Sequence, residues 1–287
     1  MENVLIVNRE RFEDLKNSFK KDGVEKLHVL ADFDRTLTKA LVNGKNTPSL
    51  ISVLRDEDYL TPDYPKKAKA FYEKYHAIEI NPNVSVEEKT KAMEEWWTKH
   101  FQLLIDSGLN IKDIEQAMKS SNLVLRKGVS ELLDILKDND IPLVILSSSG
   151  IGKESIVSYL KNEEKLFKNI HIISNFFNWD KNGKAISVNQ PIIHGMNKNE
   201  IVIDSFPKIY NTVKDKKNVI LLGDSISDID MITGFVYDNL IKIGFLNENI
   251  KENLENYKQK YDVLILNDSS AEFIVNLLQE FLNKRLV

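Results

Sequence analysis

The stretch that decides the fold is "VLADFDRTL", Val29 to Leu37, where an apolar run ends in two aspartates two residues apart. Side chains alternate along an extended segment, so Asp32 and Asp34 fall on one side near the end of a strand. Two carboxylates held that close repel unless a cation or a shared proton compensates. Taken alone, D-x-D-x-T also reads as a strand end with a capped turn, because Asp and Thr are common in turns. A second site weighs against that reading. "NVILLGDSISDIDM" repeats the design, an apolar run entering Gly223-Asp224-Ser225 and continuing to Asp228 and Asp230. Two acidic strand ends in one sheet can bracket a hard cation, and Mg²⁺ takes one or two carboxylates together with waters and substrate phosphate.

Working outward, Val- and Ile-rich runs recur with helical segments between them: "KLHVLADFD", "IPLVILSSS", "IHIISNF", "NVILLGDS", "NLIKIGFLN" and "YDVLILND". Runs apolar on both faces and alternating with helices specify a parallel sheet covered on both sides. The expected fold is α/β, a doubly wound, Rossmann-like parallel sheet. Asp32, Ser147 and Asp224 end three of the runs, which gathers their side chains at the carboxyl edge where open α/β sheets bind ligands.

Between the first two of these strands the pattern turns helical. "YPKKAKAFYEKYHAIEI" and "SVEEKTKAMEEWWTKHFQLLIDSG" have helical apolar spacing, Ser85 with Glu88 forms a capping box, and "NIKDIEQAMKSS" adds a third helix. A crossover between neighbouring strands needs only about a dozen residues. Residues 42–124 are therefore expected to be an inserted helical cap domain over the sheet edge, and residues 1–41 with 125–287 the α/β core domain. "FFNWDKNGKAISV" carries Asn182-Gly183 between two β-prone runs, a hairpin signal, and "SSAEFIVNLLQEFLNKRL" is an amphipathic closing helix.

Composition bounds the function. The chain has 287 residues, 42% hydrophobic and 29% charged, as a globular protein with a sizeable core requires. With 39 basic against 43 acidic side chains and neither gathered into a block, a nucleic-acid partner is not expected. The absence of cysteine excludes disulfides, thiolate metal sites and cysteine nucleophiles. There is no secretory-signal pattern, and no apolar run approaches the roughly 18 residues of a membrane helix. The expectation is a soluble, cytoplasmic protein without a membrane partner.

With these motifs in place, Asp32-Phe33-Asp34-Arg35-Thr36-Leu37, "VILS" ending at Ser147, and "GDSISD" from Gly223 resemble the first, second and fourth motifs of the haloacid dehalogenase (HAD) superfamily of phosphotransferases. "YHAIEINPNVSVEEKTKAMEEWWTKH", "SSSGIG", "ISNFF", "LLGDSISDIDM" and "IKIGFLN" then follow the order and spacing of the cytosolic 5'-nucleotidase III, or pyrimidine 5'-nucleotidase, family. The resemblance implies a Mg²⁺-dependent hydrolase of nucleoside 5'-monophosphates. Asp32 would be the nucleophile that forms a phospho-aspartate, and Asp34 the acid that protonates the leaving nucleoside and then activates water. Mg²⁺ would be held by Asp32, the Asp34 backbone carbonyl and Asp224, with Asp228 and Thr36 in support. Ser147, Ser148 and Lys198 would bind phosphate.

The resemblance also implies that Glu79 contacts the nucleobase, where a buried carboxylate would discriminate strongly between bases; the residues alone also allow an ordinary exposed position at a helix end. Trp97 would stack on the base. Trp96 and Trp97 point about 100° apart on a helix, so one is expected to pack in the cap while the other faces the cleft. His100 stands where the family usually has a small residue, which leaves the base open between a pyrimidine and 7-methylguanine; a tryptophan face suits the cationic 7-methylguanine ring. Arg35, often apolar in the family, has a place in the cleft or on the surface. A small-metabolite phosphatase of the phosphoserine-phosphatase type shares this core, but Glu79 and the tryptophans would have no use on so small a substrate. A phospho-acceptor signalling module also joins Asp, Ser and Lys on a parallel sheet; the large insertion and Asp34 disfavour it. The chain is expected to act as a monomer on a small nucleotide.

Overall fold

The computed structural model describes residues 3–42, 44–46, 49–56, 59–81, 83–198 and 205–283. Strand β1 (Val4–Ile6) and helix α1 (Arg9–Asp22) precede strand β2 (Leu27–Ala31), the run that leads to Asp32. A short ribbon, β3 (Leu41–Val42) with β4 (Lys45–Asn46), opens the insertion. Helices α2 (Leu50–Asp56), α3 (Tyr64–Ile80), α4 (Val86–Asp106) and α5 (Ile111–Ala117) fill it. Helix α6 (Val129–Asp138), strand β5 (Leu143–Leu146), helix α7 (Lys153–Asn162) and strand β6 (Ile170–Ile173) return the chain to the sheet. The hairpin β7 (Phe177–Trp179) and β8 (Ala185–Val188) turns at Gly183, whose φ of 78° suits glycine. Then come helix α8 (Pro207–Val213), strands β9 (Asn218–Gly223) and β10 (Asn239–Leu246), helix α9 (Ile250–Lys258), strand β11 (Val263–Leu266) and helix α10 (Glu272–Leu282).

Seven strands form one sheet in the order β1-β11-β10-β9-β2-β5-β6. All neighbours are parallel except β1, which runs antiparallel to β11 at the edge. The six apolar runs of the sequence are the six parallel strands. Consecutive residues of β2 serve opposite faces: Val29 and Ala31 belong to one apolar cluster and Leu30 to the other. Each cluster is covered by helices, and burial on both faces explains why these strands read as continuous apolar runs rather than alternating ones. Strand β1 is short and half-buried, and the sequence reading passed over it together with α1, α2 and α6.

Helices α3 and α4 lie where the apolar spacing placed them, and the Ser85 and Glu88 side chains close the capping box at the start of α4. Phe101 and Leu104 of α4 and Ile114 of α5 share the apolar cluster that contains Leu132 of α6 and Ile156 of α7. The two passages between β2 and the insertion are tied together. Thr38 and Leu125 form an antiparallel bridge, Lys39 N–H donates to the Val124 carbonyl at 2.9 Å and Arg126 N–H to the Leu37 carbonyl at 2.9 Å. Among the described residues no helix is long and apolar enough to cross a membrane.

Candidate active site

Because β2 lies between β9 and β5, their carboxyl ends bring Asp32, Asp224 and Ser147 to one edge. Asp32 N–H still donates to the Leu222 carbonyl of β9 at 3.0 Å, and Ser147 N–H to the Ile173 carbonyl of β6 at 3.0 Å, so both residues stand at the last rung of the ladder. Above them is a cavity of about 350 Å³, within the usual size range of small-molecule sites. Asp32, Asp34, Ser147, Ser148, Lys198, Asp224 and Asp228 line one part of it, and Glu79, Trp96, Trp97 and His100 another. Thr36 is not in the wall: it is fully buried behind Asp34, with its carbonyl accepting from Arg126 Nε at 2.9 Å.

Oxygens of Asp32, Asp224 and Asp228 lie within 4.8 Å of one another. Lys198 Nζ bridges two of them, donating to Asp32 Oδ1 at 2.7 Å and Asp228 Oδ1 at 2.9 Å. Burial raises the Asp32 carboxyl above its ordinary value, Lys198 pulls it down, and the Asp228 charge pushes it up again. Burial likewise raises Asp224, helped by Asp228 and Asp32. Burial alone pulls Lys198 down, but the carboxylates of Asp228 and Asp32 outweigh it and hold the ammonium well above its usual range. Lys198 and, further off, the Arg35 guanidinium thus face three carboxylates, and Arg35 is also paired with Glu248. That excess of hard anionic oxygen is what a divalent cation such as Mg²⁺ neutralises. Asp228 is committed on both oxygens, since Oδ2 accepts the N–H groups of Asp224 at 3.1 Å and Ser225 at 2.9 Å. Gly223 makes this possible: a Cβ there would stand 2.5 Å from Asp228 Cβ.

Asp34 stands apart from this cluster. Its Oδ1 accepts from the Leu50 N–H at 3.3 Å, and burial pushes its carboxyl up to about 6, opposed by that hydrogen bond, Lys198 and Arg35. A carboxyl poised there can give and take a proton near neutral pH.

The far wall is aromatic. The Trp96 and Trp97 rings stack with centroids 5.6 Å apart and planes 13° apart, continuing to Tyr75 behind Trp96 and Phe101 behind Trp97. The expected division, one indole in the cap and the other in the cleft, is corrected: both line the cavity. Adjacent helical residues leave their backbones about 100° apart, but long side chains can bend toward each other and recover ring contact. Glu79 lies in the cavity wall near the end of α3, half-exposed and paired with His76 Nδ1 at 3.2 Å. His100 is buried, and its Nε2 donates to the Gly150 carbonyl at 3.2 Å, linking α4 to the serine loop. Burial pulls its pKa down to about 4, so the ring is neutral with the proton on Nε2. Gly150 lies so close to Trp97 that a Cβ would come within 2.8 Å of the indole.

Of the two places open to Arg35, the structure gives it the cleft, ion-paired with Glu248 and with Nε 3.9 Å from Asp224 Oδ2. Other residues of the site had no signal in the sequence. Tyr257 and Tyr261 support the acidic loop from behind, their hydroxyls donating to the carbonyls of Asp224 at 2.6 Å and Ser225 at 2.5 Å. Asn175 joins the loops of Ser147 and Lys198, its Nδ2 donating to the Ile193 carbonyl at 2.8 Å and to the Ser149 carbonyl at 3.3 Å. Tyr257 lies near the end of α9 and Tyr261 in the loop after it, so no pattern of a single element joins them; an isolated Asn or Arg is ordinarily a surface residue.

The comparisons with known proteins agree with this geometry. The family model described as pyrimidine 5'-nucleotidase (UMPH-1) matches residues 35–282. The human protein called 7-methylguanosine phosphate-specific 5'-nucleotidase is 35% identical over 97% of this chain and 92% of its own. The Drosophila melanogaster protein of the same name is 31% identical over 93% of this chain and 83% of its own. The crystal structure of cytosolic 5'-nucleotidase IIIB bound to cytidine superposes with a TM-score of 0.90 at 29% identity, covering 98% of this chain and 94% of that one. A phosphoserine phosphatase, solved as a phospho-aspartyl intermediate analogue, has a TM-score of 0.51 at 21% identity over 87% of this chain and 97% of its own, a likeness of fold. The architecture is therefore HAD-like, and the chain belongs to the pyrimidine 5'-nucleotidase family, whose members are phosphomonoester hydrolases acting as 5'-nucleotidases.

Proposed function

We propose that this 5'-nucleotidase is Mg²⁺-dependent, works through a phosphorylated Asp32, and takes 7-methyl-GMP in preference to CMP or UMP. The observation that carries the reading is the pairing of Lys198 with Asp32 beneath a cavity whose opposite wall is two stacked indoles beside a carboxylate. One end suits a phosphate and the other a flat, positively charged base. The printed names of the relatives point the same way, while the cytidine in the related structure keeps pyrimidines within reach.

In this reading the ester phosphate lies on the floor, its oxygens received by Lys198, the Ser147 hydroxyl and the serine-loop N–H groups. The Asp32 carboxylate attacks phosphorus in line, and the bond to the nucleoside oxygen breaks as Asp34 gives that oxygen its proton. Asp34, now ionised, takes a proton from the water that attacks the acyl phosphate, which releases phosphate and restores Asp32. Asp32, Asp224 and the Asp34 carbonyl would hold Mg²⁺, with Asp228 beside them; when bound, it supplies positive charge against the phosphoryl oxygens. Residues 42–124 act as a cap whose Glu79, Trp96, Trp97 and His100 enclose the base. The nucleotide is met by a single copy of the chain in the cytoplasm.

The test is phosphate release, with and without Mg²⁺, from CMP, UMP, AMP, GMP, 7-methyl-GMP and phosphoserine. The expected order places 7-methyl-GMP first and pyrimidine monophosphates next, with nothing released after chelation. Preference for CMP or UMP would remove the base assignment, and phosphoserine as the best substrate would overturn the role of the aromatic wall.

A further inference from the structure

Arg35, the residue after Asp34, has a φ of 62°. A residue with a side chain persists in left-handed backbone only where its surroundings over-determine it. Here they do. The Arg35 N–H donates to Thr38 Oγ1 at 2.8 Å, and its carbonyl accepts from Asn247 Nδ2 at 3.1 Å and from Arg126 Nη2. Arg126 is 1% exposed. Its Nε donates to the Thr36 carbonyl at 2.9 Å, its Nη2 also reaches the Thr38 carbonyl at 3.4 Å, and its Nη1 donates to the Ser269 carbonyl at 2.9 Å. Asp268 balances its charge at 3.0 Å, and the Phe245 ring lies 4.2 Å from the guanidinium carbon. Asp268 in turn accepts the N–H groups of Ala40 at 2.8 Å and Leu41 at 3.1 Å.

A buried guanidinium therefore collects the carbonyls of residues 35, 36 and 38, all in the turn that follows Asp34. Carbonyls gathered on one side of a turn repel, and a planar five-donor fork is the side chain that can hold three of them at once. We propose that Arg126 is a positioning residue for Asp34: it holds Arg35 in the left-handed backbone and so fixes the turn on which the proton-transferring carboxyl stands. The proposal rests on the proton-transfer role of Asp34 given under the proposed function. Arg126 touches neither phosphate nor base and acts only through the backbone. It enters from the second passage of the insertion while the turn belongs to the first, so one side chain sets the spacing of both.

Glycine adopts a φ of 62° without strain, which supplies the test. Wild type, Arg126→Lys, Arg35→Gly and the double variant are compared for kcat and KM on whichever phosphomonoester the wild type hydrolyses fastest. Arg126→Lys keeps the charge and loses the fork; kcat is expected to fall at least about tenfold with KM within about threefold. In the Arg35→Gly background the same change is expected to lower kcat less than about threefold, because the turn no longer needs holding. Equal losses in both backgrounds, or no loss in the wild type, would overturn the proposal. Thermal-unfolding midpoints read the same cycle without turnover: Arg126→Lys should lower the midpoint less beside Gly than beside Arg at position 35, and equal lowering contradicts the proposal. Should Arg126→Lys fail to fold, Asn247→Ala removes the other donor to the Arg35 carbonyl and is expected to show the same coupling to Arg35→Gly; independent effects count against it. Substrate preference enters neither ratio, so the nucleotide assignment can fail while the cycle still reports on Arg126.

Discussion

Asp32 and Asp34 are two residues apart in sequence and have different surroundings. Asp32 is paired with Lys198 and crowded by Asp228, and burial raises its carboxyl to about 7; Asp34 has one backbone N–H and a carboxyl raised to about 6. In the proposed mechanism a cation held by Asp32 would bring its carboxyl down, leaving Asp34 to carry the proton. Glu79, half-exposed in the cavity wall, is proposed to read the base. Glu79→Ala is expected to lower kcat/KM for nucleotides by about tenfold and for a simple aryl phosphate by less than twofold; parallel losses, measured side by side, would remove its base-reading role. His28 illustrates a residue whose effect is on stability. Its Nδ1 donates to the Lys216 carbonyl at 2.6 Å, and burial pulls its pKa from 6.5 to about 4. The unfolded chain binds this proton at a higher pH than the folded one. The stabilisation is therefore full above 6.5 and is lost as pH falls toward 4, by up to about 3 kcal/mol. His28→Asn should show a smaller drop in denaturation midpoint between pH 7 and about pH 4.5 than the wild type does.

At the scale of elements, α4 joins a strong cap to the cavity wall. Its first turn is closed by Ser85 and Glu88, and its later turns carry Trp96, Trp97 and His100. Ser85→Ala should cost about 1 kcal/mol in chemical denaturation. Gly150→Ala reaches the same helix from the serine loop, placing a methyl 2.8 Å from the Trp97 ring. Its expected signature is a raised KM for nucleotides, with unchanged KM contradicting the contact. Elements were legible where one rule governed them. The six parallel strands followed from runs buried on both faces, and α3 and α4 from apolar spacing with a strong cap. Strand β1 was not, because three half-buried residues make no pattern of their own and pair only because β11 presents an edge. The stacked indoles were misjudged for a related reason: helical geometry fixes where side chains leave the backbone, not where long ones meet.

Over the whole molecule, strand order makes the site. Placing β2 between β9 and β5 joins residues nearly two hundred positions apart, Asp32 and Asp224 among them, at one sheet edge. The acidic motifs and Ser147 were readable because each ended an apolar run. Lys198 was identified through resemblance alone, since no strand end marks it. Arg126, Asn175, Tyr257 and Tyr261 were not readable, because their roles come from the carbonyls they face, and those are brought to them only by tertiary structure. The fold thus supplies two layers. Short motifs give the groups that line the cavity floor, and scattered polar side chains hold the loops that present them.

In the proposed mechanism phosphate passes through Asp32. The most direct measurement is acid quenching of the wild-type protein and Asp32→Asn during turnover of a nucleotide labelled in its phosphate, followed by peptide mapping of protein-bound label. Label is expected on the peptide containing Asp32 in the wild type, and neither label nor turnover in a folded Asp32→Asn. Turnover by Asp32→Asn at the wild-type rate, or label on a different peptide, would contradict it.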